Sequence, residues 1–137
     1  NGEKQTPVVI HRAIFGTFDR FTAFLIEETK GIYPLWLAPA QVNIIPVNME
    51  YHAKYSEEVL HLLQENGYRV TLDARNEKLS YKMRESVVKK IPVTIILGQK
   101  EADENRISYR EFGSEETKIV SQKEFLEYLR NRIVEKK

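Results

Sequence analysis

An α/β fold, with a mixed and largely parallel sheet carrying helices on its faces, is predicted by three observations. From Val42 onward, runs of strand composition alternate with runs of helical periodicity in the order β, α, β, α, β, β, α. The strand runs are short and rich in Val and Ile, as strands buried on both faces are. Gly, Pro and Asn-Gly punctuate the connections, and there are no repeats or low-complexity tracts.

Each element has its own signal. Residues 6–10 form a β-branched run predicted as a strand. Gly16-Thr17 then opens a helix with Phe21, Phe24, Leu25 and Glu28 at helical spacing, closed by Gly31. Residues 32–39 are apolar but contain Pro34 and Pro39; they are too broken for a helix and too apolar for a free linker, so they are predicted to pack against another layer. Residues 42–47 read as a buried strand, with Pro46 removing one ladder donor and pushing that end toward a sheet edge. In the next helix Tyr55, Val59, Leu62 and Leu63 make one apolar stripe, and Asn66-Gly67 supplies a left-handed stop.

Residues 68–72 are a second short strand. Leu79, Met83 and Val87 mark a helix whose other faces carry Lys78, Lys82, Arg84, Lys89 and Lys90, and Ile91-Pro92 ends it. Residues 93–97 are the most strand-like run and stop at Gly98, while residues 106–110 alternate as a half-buried strand does. Ser121-Gln122-Lys123-Glu124 is a capping box, with Val120 and Phe125 placed as a hydrophobic staple and Phe125, Leu129 and Ile133 as the buried stripe behind it. Residues 1–31 stand outside the alternation. A boundary is expected within 31–39, giving a truncated element over 1–36 and a complete α/β domain over 37–137.

The 137 residues suffice for a self-supporting core. With no Cys, the chain offers no disulfide, thiol nucleophile or Cys-based metal site of its own. No apolar run nears the ~20 residues of a membrane span, and the start lacks a signal core, so the expected location is cytoplasmic. The net charge of +1 conceals two opposed segments. Residues 69–90 hold seven basic and three acidic side chains, a local +4, and residues 101–116 hold six acids against two arginines, a local −4. Two readings fit the basic segment: a polyanion-binding face, or a solvated helix with ordinary ion pairs.

Catalytic motifs are scarce. His11, His52 and His61 have no Cys neighbours and no His-Glu-x-x-His spacing, and His52 and His61 are expected in solvated or capping roles. The six glycines form neither a dinucleotide fingerprint nor a phosphate loop. A whole active site is not expected within this chain. Binding chemistry is richer. Asp73-Ala74-Arg75-Asn76-Glu77-Lys78 lies where a strand meets the basic helix, at the carboxyl end of the sheet, where open α/β sheets bind ligands. Asn pairs two-pronged with base edges, Lys and Arg hold phosphate or carbonyl oxygens, and Glu accepts from amine or imino hydrogens. Unpaired RNA bases present all of those edges. A helix cap with surface charges fits the same spacing.

The run Asp73-x-Arg75-Asn76-Glu77-Lys78-x-x-Tyr81-Lys82-x-Arg84-Glu85, followed by Lys90-Ile91-Pro92 and Gly98-x-Lys100-Glu101, resembles the anticodon-binding domain of class II threonyl-tRNA synthetases. Pro7-x-x-Ile10-His11-Arg12-Ala13-x-x-Gly16-Thr17-x-Asp19-Arg20-Phe21 is similar to the end of that family's catalytic domain, including its motif 3, and Trp36-Leu37-Ala38-Pro39-x-Gln41-Val42 to the junction. The resemblance implies a five-stranded sheet in the second domain, preceded by a strand-helix remnant of the first.

It also implies roles. Arg20 matches a catalytic arginine on the ATP phosphates, and Thr17 a hydroxyl near adenine. His11 matches one of three ligands of a zinc that selects threonine, the other two lying outside this chain. Asn76, Lys78, Glu101 and Arg110 match readers of the second and third anticodon bases, G and U. The basic side chains Arg84, Lys89 and Lys90 are read beside them as phosphate-positioning contacts. The implied partners are tRNA(Thr), with threonine and ATP in the parent enzyme, and a second copy in a homodimer. Gln99 and Ser80 depart from the pattern, which commonly has Asp and Gly there, and the Gln99 change is expected to bear on how Glu101 is oriented. Two alternatives stand beside this reading: a non-catalytic interaction module of the same fold, and the anticodon domain of a proline, glycine or histidine enzyme.

Overall fold

The computed structural model describes residues 2–136. They form two compact units, one ending at Gly31 and the other beginning at Ile32. In the first unit, α1 (Phe18–Thr29) starts at Thr17, whose hydroxyl accepts from the Arg20 N–H at 3.3 Å, and ends on Lys30 in the left-handed region. The strand expected over 6–10 is absent: these residues are irregular, with no strand beside them in their unit to complete a ladder. Phe15 packs its ring 5.1 Å from that of Phe21, while Phe18 and Phe24 are exposed.

The second unit is a five-stranded mixed sheet in the order β2-β1-β3-β4-β5. The elements run β1 (Val42–Pro46), α2 (Met49–Glu65), β2 (Val70–Leu72), α3 (Leu79–Val88), β3 (Val93–Leu97), α4 (Gln99–Glu104), β4 (Arg106–Glu111), β5 (Thr117–Ser121) and α5 (Gln122–Val134). The first three strands are mutually parallel, and β4 and β5 join antiparallel. The five strands are those the resemblance implies, but the residues of β5, like those of α4, are not picked out by periodicity or composition. Pro46 does not put β1 at an edge, since β1 lies between β2 and β3. Its missing N–H faces the β2 side, past the last β1–β2 pair at Ile44 and Leu72, so no ladder bond is lost.

One face of the sheet is apolar. Val42, Ile44, Val93, Ile95, Leu97, Ile107 and Tyr109 meet Tyr55, Val59 and Leu63 of α2 and Phe125 and Leu129 of α5. Leu35 joins this core, so residues 32–39 pack as expected. Gln41 fixes them by donating to the Leu35 carbonyl at 2.9 Å, and Arg69 by donating to the carbonyls of Ala38 and Trp36. His52 is a correction to the sequence reading. It is buried at 7% exposure, because the inner face of α2 carries it into the core, and its Nδ1 has no partner among the described residues.

Under α3 the opposite face sets buried polar groups beside the buried Ile45, and the helix is rotated from its predicted setting. Lys82 and Ser86 are its buried residues, whereas Val87 is 54% exposed. The reason lies in the strands. Asn43 of β1 donates to Ser86 Oγ at 3.3 Å, Thr71 of β2 donates to Asn43 Oδ1 at 2.9 Å, and Ser86 and Thr94 of β3 share a hydrogen bond of 2.7 Å. A sheet lined with amide and hydroxyl groups selects the helix face that can pair with it. Among the described residues, no helix is long and apolar enough to cross a membrane.

Candidate nucleic-acid interface

Three segments on the polar side position the predicted base readers. The loop after β2 carries Asn76 and Lys78, the turn after β3 carries Glu101 in α4, and β4 carries Arg110. Asn76 and Lys78 are exposed, and Lys78 begins α3 with no side-chain cap bond. Because β2 and β3 flank β1 in parallel, this loop and the α4 turn leave the same carboxyl edge of the sheet. Two strand spacings, about 10 Å, separate them.

Asp73 and Arg75 hold the loop to α3. Arg75 forks onto Asp73, with Nε to Oδ1 at 2.8 Å and Nη2 to Oδ2 at 2.6 Å, and also donates to Glu85 on α3. The Tyr81 ring lies 5.8 Å from the guanidinium carbon, and its hydroxyl donates to Glu85 Oε1 at 3.2 Å. The Arg75 hydrogen bonds hold the carboxyls of Asp73 and Glu85 below the usual carboxylate range, so both stay ionised at neutral pH. From beneath, the buried Lys82 ammonium donates to the Asp73 carbonyl at 3.0 Å.

Glu101 accepts twice from its own domain. The Gly98 N–H donates to Oε2 at 3.0 Å, and Ser108 of β4 donates to Oε1 at 2.6 Å. Burial pushes the Glu101 carboxyl up, but the bonds from Ser108 and from the Glu101 and Gly98 amides outweigh it and leave the pKa below its ordinary value. The group is therefore an oriented anion with lone pairs to spare, an acceptor for N–H edges. Gly98 and Glu101 approach closely, since a Cβ at Gly98 would stand 3.1 Å from Glu101 Oε2 and crowd the carboxylate. Gln99 donates to Asp103 at 2.8 Å within α4, so its expected influence on Glu101 is not seen in the bonding.

Arg110 shares the Ser108 face of β4 but pairs with Thr94, three residues back from the end of β3. It thus sits about 10 Å below the edge that holds the other three readers. There it lines a cleft of about 350 Å³ with Arg84, Met83, Val87 and Phe112. Its Nη2 donates to Thr117 Oγ1 at 3.1 Å, and its Nε is buried without a partner among the described residues. Lys89 and Lys90 lie at the far end of α3, about 17 Å along the helix from Lys78. Lys89 stands 3.9 Å from Glu85, and Lys90 has a left-handed backbone. In the first unit, His11 and Arg20 are exposed and Thr17 is occupied as the α1 cap. No group of three or more His, Cys, Asp or Glu among the described residues could hold a metal ion, so these residues alone do not make a zinc site around His11.

Sequence reasoning missed Ser108, the Arg75 fork and the burial of Lys82. The first had a signal, because alternation along β4 puts Ser108 on the face of Arg110.

Fold and site together define an α/β binding module with its polar groups along the carboxyl edge and one flank of a half-covered sheet. The chain belongs to the anticodon-binding domain family, whose model, described as the anticodon binding domain, matches residues 41–132. It is 48% identical over 126 residues to the threonine–tRNA ligases of Staphylococcus aureus strains JH9 and Newman, covering 92% of this chain and 20% of each relative. The chain thus spans about a fifth of the length of these relatives. The crystal structure of the RNA binding domain of threonyl-tRNA synthetase from Cryptosporidium parvum Iowa II matches with a TM-score of 0.81 at 24% identity, covering 89% of this chain and 30% of that one, a likeness of fold.

Proposed function

We propose that this chain is the carboxyl-terminal part of a threonine–tRNA ligase and that residues 37–137 bind the anticodon loop of tRNA(Thr). The observation that carries the reading is the shared carboxyl edge. An ionised acceptor, Glu101, and the exposed donors Asn76 and Lys78 flank β1 there, with the unpartnered Arg110 Nε in the cleft beneath. A guanine offers N1 and N2 hydrogens to a carboxylate and O6 to an amide or ammonium, and a uracil offers carbonyl oxygens to a guanidinium. Arg84, Lys89 and Lys90 hold phosphates and set the register.

In this reading residues 1–36 are the end of the catalytic domain. Arg20 lies on the ATP phosphates, where a guanidinium fork offsets charge developing during adenylate formation. Thr17 lies near the adenine, and His11 supplies one zinc ligand whose companions come from the rest of a longer chain. Threonine, ATP and zinc belong to that parent enzyme, a cytoplasmic homodimer joined through its catalytic domain. The 48% identity to ligases specific for threonine supports the amino acid assignment.

Titration with anticodon stem-loops of threonine, proline and histidine tRNAs at one salt concentration tests the reading. The threonine loop is expected to bind about tenfold or more tighter than the others, which corresponds to about 1.4 kcal/mol. Equal affinities overturn it.

A further inference from the structure

The buried ammonium of Lys82 has no part in the base-reading set, and its surroundings give it one. Lys82 is 2% exposed on a helix whose outward positions include the half-exposed Val87. Burying a cation is costly unless hydrogen bonds and a counter-charge compensate it. Its bond goes to the Asp73 carbonyl at 3.0 Å, and the neighbouring Asp73 carboxylate supplies the opposite charge. Asp73 is the first residue after β2, where its N–H still donates to the Ile44 carbonyl at 2.9 Å.

The same loop is gripped a second time from the solvent side. Arg75 ties the Asp73 carboxylate to Glu85, one turn of α3 beyond Lys82, over the Tyr81 ring. Two anchors therefore fix residues 73 and 75 to α3, one beneath the loop and one above it. The next three residues, Asn76 to Lys78, are exposed.

We propose that Lys82 is a positioning residue that presets the Asn76–Lys78 segment for base reading before RNA arrives. The inference rests on the anticodon reading above. Preorganisation spares the loop the ordering cost it otherwise meets on binding, and holds the Asn76 amide where only one base edge satisfies both its donor and its acceptor.

Two measurements on the 137-residue chain test it. The first is amide hydrogen exchange, without RNA, of the two anchored residues Asp73 and Arg75, whose N–H groups donate to the Ile44 carbonyl and to Asp73 Oδ1. Lys82→Met is expected to speed it about tenfold or more, while Lys82→Arg, which keeps a cation under the Asp73 carbonyl, stays near wild type. Unchanged exchange in Lys82→Met overturns the proposal whatever the RNA does.

The second is a double-mutant cycle with a threonine anticodon stem-loop and the same loop carrying a substituted second anticodon base. Asn76→Ala is expected to lower the discrimination between these loops about tenfold in wild type, but less than about twofold in the Lys82→Met background, with the salt slope unchanged. An equal Asn76→Ala effect in both backgrounds assigns Lys82 a purely structural role and overturns the proposal. Wild type that binds both loops equally instead overturns the anticodon reading, and the exchange result still judges the presetting. Should Lys82→Met fail to fold, Lys82→Gln, one atom shorter and uncharged under the Asp73 carbonyl, is expected to give both effects at smaller size; its absence from both is the contrary result.

Discussion

Ser108 donates its hydroxyl hydrogen to Glu101 Oε1 at 2.6 Å, joining the carboxylate of α4 to the strand that carries Arg110. With the Gly98 N–H on Oε2, this bond fixes both oxygens of the proposed acceptor. Gly98→Ala is expected to push Oε2 off the Gly98 amide, because the new methyl group stands 3.1 Å from it. Losing one such bond is worth about 0.5–1.5 kcal/mol. Affinity for a loop with the cognate second base should fall by up to about tenfold, while a loop with that base substituted binds as before. An equal loss for both loops argues that Glu101 does not read a base.

Acid stability follows from the same bonds. The carboxyls of Asp73, Glu85 and Glu101 all lie below their ordinary values in the folded chain. The unfolded chain therefore takes up protons first as pH drops. The stabilisation they contribute is complete above about pH 4–5, near the unfolded carboxylate values, and is lost as pH falls through the folded ones. Urea midpoints measured between about pH 6 and 3 should decline below pH 5, and Glu101→Gln should flatten part of that decline. A midpoint that holds steady to pH 3 contradicts the assignment.

Much of this architecture is legible in the sequence, for identifiable reasons. Ser121 and Glu124 form the reciprocal cap their spacing predicts, and Gly67 takes the left-handed stop at φ 82°. The strands β1 and β3 are visible because both of their faces are covered, so nearly every position is apolar. By contrast α4 is hidden, as its six residues include a single apolar side chain, Ala102, and β5 is hidden because Thr117, Lys118 and Ile119 are exposed. The setting of α3 misleads, since Leu79, Met83 and Val87 make the better apolar stripe while the strands beneath present Asn43, Thr71 and Thr94. Periodicity finds the apolar face of a helix but carries no information on a polar partner surface. At the site, the residue types were readable, whereas the network from Lys82 to Asp73 to Arg75 to Glu85 joins residues through the fold.

Lys89 and Arg110 should separate in RNA binding. Lys89→Ala is expected to weaken every loop alike and to reduce the salt slope by about 1, as loss of one phosphate contact does. Arg110→Ala is expected to cost about 1–3 kcal/mol and to relax preference at one base. Affinity for cognate and scrambled loops across a salt series checks both, and a sequence-selective loss from Lys89→Ala reverses its assignment.

The cap of α5 is also open to a stability test. Ser121 Oγ accepts from the Glu124 N–H at 3.3 Å, directly ahead of Phe125, which is fully buried in the core. Ser121→Ala is expected to cost about 0.5–2 kcal/mol in urea unfolding, and Phe125→Ala about 3–5. A Ser121→Ala midpoint equal to wild type removes the cap from the account.

The most direct measurement is the set of backbone amide shifts that move when a threonine anticodon stem-loop is added. They are expected to cluster at residues 73–78, Gly98 to Glu101, and Ser108 to Arg110, all on or beside the face that α3 covers. Shifts confined to the outer surfaces of α2 and α5, with those three segments unmoved, contradict the anticodon reading.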